Sequence, residues 1–400
     1  MLGIRDKNIW LVYGTIFLLG IAYGSSLSVT PLHLERVHFS KREIGTLAAW
    51  FASGIALFSL PAGALVRRIS AKHTLVACLV AYAVAVALFP FQTRYVAAGA
   101  VRAVDGASSV GVWIACETVL LARSNQKNKA LVMSLYAMAI AIGYVVGSGV
   151  ARVIAPLTSY RTVFLVASGL AVCALLLVVA ALDRSAAVVE ETHAHTETTT
   201  GRLLWKIKTS CLATFSYGYF QASVVLFLPL YLVHDKHVRA EDTILMTALF
   251  AGGMLLFSSI AGRIGDAVGH LRTMTMLAAV GFAMILGFVW LSSWPLMCVA
   301  IFVAGASLAS LSPVSLALQG HIADPRDYSR ANALYNGCYA LGMLIGPPIS
   351  SVVFEGVGGP AMLYHFAVMW ACFIALTIAF RRDDPHAARA TITPEGSPTC

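Results

Sequence analysis

Charge is what this chain has least of. Only 12% of its 400 residues are Asp, Glu, Lys or Arg, against about a quarter in soluble domains. Hydrophobic residues make up 58%, and the mean hydropathy is +0.78. So little polar material cannot clothe a water-soluble globule of this size. Paired cysteines are missing too. Cys78, Cys116, Cys173, Cys211, Cys298, Cys338 and Cys372 lie singly in apolar stretches and Cys400 ends the chain, which excludes a disulfide framework and any C-x-x-C metal or redox motif. There is no H-E-x-x-H zinc motif and no P-loop for ATP drive. Gly262, Gly265 and Asp266 have an intramembrane protease's residue types without its G-x-G-D spacing or a partner Asp motif. The chain therefore reads as no enzyme, with no catalytic residue, metal or cofactor.

What is present is a series of long apolar runs. A spanning helix needs about 20 apolar residues, and twelve stretches qualify. The first, Ile9 to Thr30, is too long for a signal peptide and lacks a clear cleavage site, so it stays as an anchor. A net charge of +9 suggests nucleic acid in a soluble domain, but here it reports topology. With the N-terminus inside, nineteen of the 28 basic residues fall in inner loops and tails and eight in outer loops. This bias puts both termini in the cytoplasm. No nucleic-acid partner is expected, only the lipid bilayer and a small solute, and the setting is a bacterial inner membrane with a functional monomer. Ser40 and Glu43 have capping-box spacing at the start of the second span.

Between Asp183 and Lys208 the hydropathy collapses into a polar run that includes His193 and His195, read as a solvated cytoplasmic linker rather than a metal site. The expected organisation is a six-helix bundle over 1–183, a linker over 184–208, a second bundle over 209–381 and a disordered cytoplasmic tail over 382–400. The two bundles repeat. Tyr136 to Gly147 matches Tyr335 to Gly346, and Phe51, Gly54, Phe58 and Gly63 match Phe250, Gly253, Phe257 and Gly262, both at an offset of 199. Equal offsets mean two copies of one unit in the same orientation. Parallel repeats of this kind place a substrate site near the midplane, between the halves.

Several short motifs then point one way. Gly262-Arg-Ile-Gly-Asp266-Ala-Val-Gly269 follows the eighth span, and Gly63 to Lys72 is its counterpart after the second, with Arg67 in place of the Asp and Ser70 in place of the second Gly. Arg102-Ala-Val-Asp105-Gly106 lies in the fourth span and Gly342-Met-Leu-Ile-Gly346-Pro347 in the eleventh. Over nearly its whole length the chain resembles the major facilitator superfamily. The first pair looks like that family's inner-loop motif G-x-x-x-D-x-x-G, and the fourth-span element is similar to R-x-x-q-G of proton-coupled efflux members. The G-x-x-x-G-P element belongs in antiporters to the fifth span, which here reads Gly143 to Ser148 without the proline. The resemblance implies an all-α polytopic membrane protein of twelve transmembrane helices in two six-helix repeats, with spans 1, 4, 7 and 10 lining the cavity.

A charged side chain near the bilayer centre costs about 2.5–3.5 kcal/mol on insertion scales, so Arg102 and Asp105 demand a reason. At about 100° per residue, Asp105, Ser109, Trp113, Cys116 and Glu117 all fall within about 60° of Arg102. The stripe is roughly 22 Å long at 1.5 Å per residue and must face the bundle interior. Asp105 or Glu117 is expected to load and release a proton as its distance from Arg102 changes. Asp266 should face the start of the fifth helix, where Arg123 and Lys129 lie, and latch the cytoplasmic side with Gly262 and Gly269. Arg67 should turn instead to Asp324 or Asp327. Gly143, Gly147, Gly342 and Gly346, four apart in pairs, should let helices approach closely.

Further cavity candidates are Tyr23, Ser26, Tyr217, Gln221, Ser312, Gln319, Asn332, Asn336 and Tyr339, with Tyr335 and Tyr136 a matched structural pair. Phosphate recognition recruits clustered Arg or Lys, and Arg102 stands alone at depth, which excludes organic phosphates. Aromatic and neutral polar groups beside carboxylates suit neutral, amphipathic or cationic solutes. The function expected is secondary active transport, as proton-coupled efflux of drugs or metabolites. The alternative is a proton-linked importer of a sugar or other small nutrient.

Overall fold

The computed structural model describes residues 6–124, 129–183, 199–324 and 327–381. Within them the chain is helical, as a chain immersed in lipid must be unless it closes a barrel, because each backbone N–H and C=O has to be satisfied internally. Twelve long helices are described: α1 (Lys7–Arg36), α2 (Lys41–Ile69), α3 (Ala71–Leu88), α4 (Tyr95–Arg123), α5 (Lys129–Leu157), α6 (Tyr160–Ala181), α7 (Lys208–His234), α8 (Leu245–Val268), α9 (His270–Trp290), α10 (Trp294–Ile322), α11 (Tyr328–Val357) and α12 (Gly359–Ala379). Eleven have the length and hydropathy to cross a membrane; α2 carries charged residues at both ends.

Local sequence sets the starts. Asp6 caps α1 by accepting from the Asn8 backbone N–H at 2.8 Å. At α2 the Ser40 hydroxyl accepts from the Glu43 N–H and the Glu43 carboxylate accepts from the Ser40 N–H, a complete capping box. Such a cap is worth on the order of 1 kcal/mol.

The polar run expected over 184–208 ends in a helix, Thr200–Lys206, whose Leu203 is fully buried against Ile207, Ala323 and Ala331. Apolar Leu203, Leu204 and Trp205 interrupt the polar composition there. Residues 184–198, with His193 and His195, and the tail 382–400 lie outside the described residues.

The 199-residue repeat is visible in atomic contacts. Gly54 of α2 packs on the Ala103 carbonyl of α4, and Gly253 of α8 packs on the Phe302 carbonyl of α10. Gly106 meets the Phe51 carbonyl, and Gly305 meets the Phe250 carbonyl. Any side chain at these glycines would run into backbone. Between α1 and α5 and between α7 and α11, Gly143, Gly147, Gly342 and Gly346 do the same work. One departure is a π-helical turn at Gly305–Ala309 inside α10, where α4 is regular.

Within a half, α1 packs on α5 and α6, and α7 packs on α11. Across the halves the main contacts are α2 with α11 and α5 with α8. The chain thus forms two bundles meeting along a central seam.

Candidate functional site

Two adjacent cavities of about 390 Å³ and 140 Å³ occupy the seam, with Leu27, Tyr144, Gln221, Val225 and Tyr339 in the walls of both. The larger lies mostly against α7, α8, α10 and α11, and exposed Ala137 and Asn336 are among its lining. The smaller lies against α1, α2 and α4 and holds Arg102 and Asp105. Among the described residues these are the only charged ones that line either space, and their charges cancel.

Arg102 hydrogen-bonds to the Asp105 carboxylate one helical turn on, and both side chains are about nine-tenths buried. The guanidinium also lies 4.4 Å from the Phe51 ring centre and 5.6 Å from that of Phe89, cation–π contacts that favour Arg over a more strongly hydrated Lys. The second carboxylate oxygen faces the Ser109 hydroxyl at 3.5 Å. A buried pair with this support is neutral as a unit, whereas either member alone would be an uncompensated charge.

The expected stripe is shorter than its sequence period. Arg102, Asp105 and Trp113 line the smaller cavity, Ser109 reaches it only through Asp105, and Cys116 is fully buried. Glu117 is not among the residues that line either space. Of the other candidates, Tyr23 and Ser26 line the smaller cavity, Tyr217, Ser312, Asn336 and also Tyr335 the larger, and Gln221 and Tyr339 both. Gln319 and Asn332 do not: the Gln319 amide donates to Asn332 at 2.6 Å in a local bridge between α10 and α11. Tyr335 donates to the Ser312 carbonyl at 2.9 Å, while the Tyr136 hydroxyl, its match in the other half, has no partner among the described residues.

The sequence reading missed Tyr82, Tyr144, Phe51, Phe250, Met246 and Met254 in the walls. Their apolar or aromatic character makes them look like ordinary core. Tyr144 and Tyr23 stack at 6.1 Å with 12° between ring planes, and Tyr217 and Tyr339 stack at 6.1 Å with 27°.

At the end of the seam away from the linker, two ion pairs and a His–carboxylate hydrogen bond join the halves among the described residues. Arg152 of α5 meets Asp242 at 2.7 Å, Arg42 of α2 meets Glu355 of α11 at 3.7 Å, and His234 of α7 hydrogen-bonds to Glu35 of α1. Asp242 is further held by Arg239 at 2.9 Å. The pairs described at the linker end stay within a half. Arg123 binds Asp6 at 3.0 Å, Lys7 approaches Asp183 at 3.6 Å, and Asp266 reaches His270 at 3.3 Å.

Asp266 therefore does not meet Arg123 or the start of α5 as its motif led one to expect. Its carboxylate is largely exposed and turned along its own half. Gly262 and Gly269 flank it, the latter at φ 100° in the turn to α9. The side chains of Arg67 and Lys129 lie outside the described residues, so the pairing of Arg67 with Asp324 or Asp327 has no geometry here.

Burial tends to raise the Asp6 carboxyl, but hydrogen bonds from Arg123 and Asn8 outweigh it and hold the group below its ordinary value. The Asn8 amide likewise keeps Asp183 low.

The sequence profile of the Major Facilitator Superfamily matches residues 12–209 and again 210–398. The chain belongs to the major facilitator superfamily. Each match covers one half, in accord with the repeat. Among curated relatives, the uncharacterized MFS-type transporter YcaD of Shigella flexneri serotype 5b is 23% identical over 351 residues, which is 87% of this chain and 89% of that one. YcaD of Escherichia coli O157:H7 is similar to the same extent. Among solved structures, the nucleoside transporter NupG superposes with a TM-score of 0.75 at 13% identity, over 94% of this chain and 99% of that one. A bacterial homolog of the human lysosomal transporter Spinster, in an inward-facing occupied conformation, gives 0.75 at 12%, over 99% and 100%. Human MFSD10, an organic anion transporter, gives 0.69 at 15%, over 93% and 99%. At these identities the structures share the major facilitator fold and say nothing about the solute this chain carries.

Proposed function

We propose that this major facilitator is a secondary active transporter that moves a small organic solute by alternating access and couples that movement to protons, in the direction of efflux. The observation that carries the reading is the Arg102–Asp105 pair in the wall of the central cavity. A neutral pair is stable there, and a carboxylate that exchanges its Arg partner for a proton turns the wall from neutral to singly positive, a change of charge that the cavity can register. Glu117, near the linker end of the same helix, is a second candidate for the proton path.

The excess of basic residues in the loops beside the linker makes that side cytoplasmic, so both termini are inside a bacterial inner membrane. The three polar contacts at the opposite end then seal the cavity from outside. When the cytoplasmic side closes in turn, Asp266 swings to the N-terminus of α5, where a carboxylate gains about 0.3–1 kcal/mol from the helix dipole. Gly262, Gly269 and Arg67 belong to the same latch. The unit of function is the monomer, since one chain holds both halves, divided as 1–183 and 209–381 about the linker.

The second reading is a proton-linked importer of a sugar or other small nutrient, which the uncharged cavity also suits. The test is uptake of compounds that thermally stabilise the purified protein, in right-side-out and inside-out vesicles under an imposed pH gradient. Accumulation that follows an acid interior marks antiport and efflux. Accumulation that follows an acid exterior marks symport, and indifference to pH removes proton coupling.

A further inference from the structure

The hydrogen-bonding groups left over in the cavity walls narrow the solute, an inference that rests on the transport reading above. The Tyr23 hydroxyl, with the residue 8% exposed, and the Tyr82 hydroxyl, with 1%, approach the Ser109 and Ser26 hydroxyls but make no hydrogen bond of good geometry among the described residues, and both side chains line the smaller cavity beside Arg102 and Asp105. A buried hydroxyl held this loosely forfeits part of a hydrogen bond, so a solute that displaces the serine contact has cause to supply a better one. Gln221 adds to them: Tyr339 donates to its Oε1 at 2.7 Å, which leaves the Nε2 hydrogens for a ligand. What the polar pole offers is therefore chiefly donors.

Charge is not on offer. Arg102 and Asp105 satisfy each other, and among the described residues the larger cavity is lined by no Asp, Glu, Lys or Arg. An anion would have to draw Arg102 from Asp105, and a cation would have to draw Asp105 from Arg102. Either exchange leaves one buried charge bare. At the other pole Met246, Phe250, Met254 and Ile301 are apolar, and Tyr144 and Tyr339 stand between the two. Planar walls bind flat faces.

We propose that the solute is a net-uncharged, planar amphiphile. Its hydrogen-bond-accepting head, a carbonyl, ring nitrogen or ether oxygen, meets Tyr23, Tyr82 and Gln221, and its apolar ring system lies between Tyr144 and Tyr339 towards Phe250.

The full chain in lipid nanodiscs tests this by calorimetric titration, with empty discs subtracted, against four probes that share one ring: naphthamide, naphthylmethylammonium, naphthoate and naphthalene. Naphthamide binds at least roughly tenfold more tightly than either ion, because each ion strands a buried charge. Tyr23→Phe and Tyr82→Phe, which keep the rings and the packing, each weaken naphthamide roughly five- to tenfold, the loss of one hydrogen bond, and leave naphthalene within about twofold. An ion that binds as well as the amide overturns the inference. So does an amide that fails to bind by about 1 mM, or one indifferent to both Phe variants. Flux separates the two readings. Naphthamide that binds as described but never crosses reconstituted liposomes overturns transport and leaves the cavity assignment standing. A charged solute carried down a pH gradient, with naphthamide unbound, does the reverse.

Discussion

Glu35 and His234 are hydrogen-bonded to each other across the seam, and they are 199 residues apart. They are the same position in the two repeats, and a contact between equivalent positions can lie only on the axis that relates the halves. The pairs on either side are related as well: Arg42 before the body of α2 meets Glu355 near the end of α11, while Asp242 before α8 meets Arg152 near the end of α5. In both pairs the N-terminal half brings the cation and the C-terminal half the carboxylate. This seal is specific to opposite halves meeting in register.

Exposed or half-exposed ion pairs are each worth about 0.2–1 kcal/mol, so the seal is a bias and not a lock. Glu35→Gln combined with Asp242→Asn should shift the population towards opening at that end by roughly fivefold. Spin labels at Arg36 and Asp235, which are exposed and repeat-related, read this as growth of a longer distance at the expense of the short one. A distance distribution unchanged in the double variant removes the pairs from the gate.

The turn between α2 and α3 is strained. Ser70 sits at φ 108° and ψ 157°, and its repeat partner Gly269 at φ 100° and ψ 136°. Only glycine adopts this region freely, and other residues lose about 1–3 kcal/mol there. Ser70 recovers part of that by capping α3 through the His73 N–H. Ser70→Gly should therefore stabilise the protein by roughly 1 kcal/mol, and Gly269→Ser should destabilise it by more, since it adds strain without an existing cap. Thermal unfolding in detergent checks both; a lower midpoint for Ser70→Gly contradicts the strain argument.

Asp6 ties the start of α1 to Arg123 at the end of α4. Its folded-state value is depressed, so the pair contributes stability that is fully present above the ordinary value of 3.8. That contribution is lost as pH falls through the folded value. Asp6→Asn keeps a capping side chain and removes the charge, so it should lower the unfolding midpoint at neutral pH. Wild type and variant should converge as the solution is acidified below 3.8. Parallel curves at all pH values would show that the charge has no part in the effect.

Much of this was legible in the residues. The scarcity of charge and the spacing of apolar runs fixed a helical membrane protein, and one offset of 199 linked Gly54 to Gly253 before any contact between helices was visible. The capping box at Ser40 and Glu43 was legible because it is local. The cavity was legible only in its polar members. Tyr23, Gln221 and Tyr339 stand out against apolar neighbours, while Tyr144, Phe250 and Met254 read as core, since a wall that faces an apolar solute and one that faces another helix have the same composition. The partner that Asp266 takes here was not legible from its motif, since the carboxylate reaches His270 one helical turn on in its own half.

The central claim is that the Arg102–Asp105 pair couples solute to protons. The direct measurement is solute-driven proton movement in liposomes holding the purified protein and a trapped pH dye, set against exchange of the same solute across equal concentrations. In wild type both should occur. In Asp105→Asn, proton movement should fall by at least roughly tenfold while exchange persists, because the amide at position 105 can neither take up nor release a proton. Proton movement retained in full by Asp105→Asn would contradict the account.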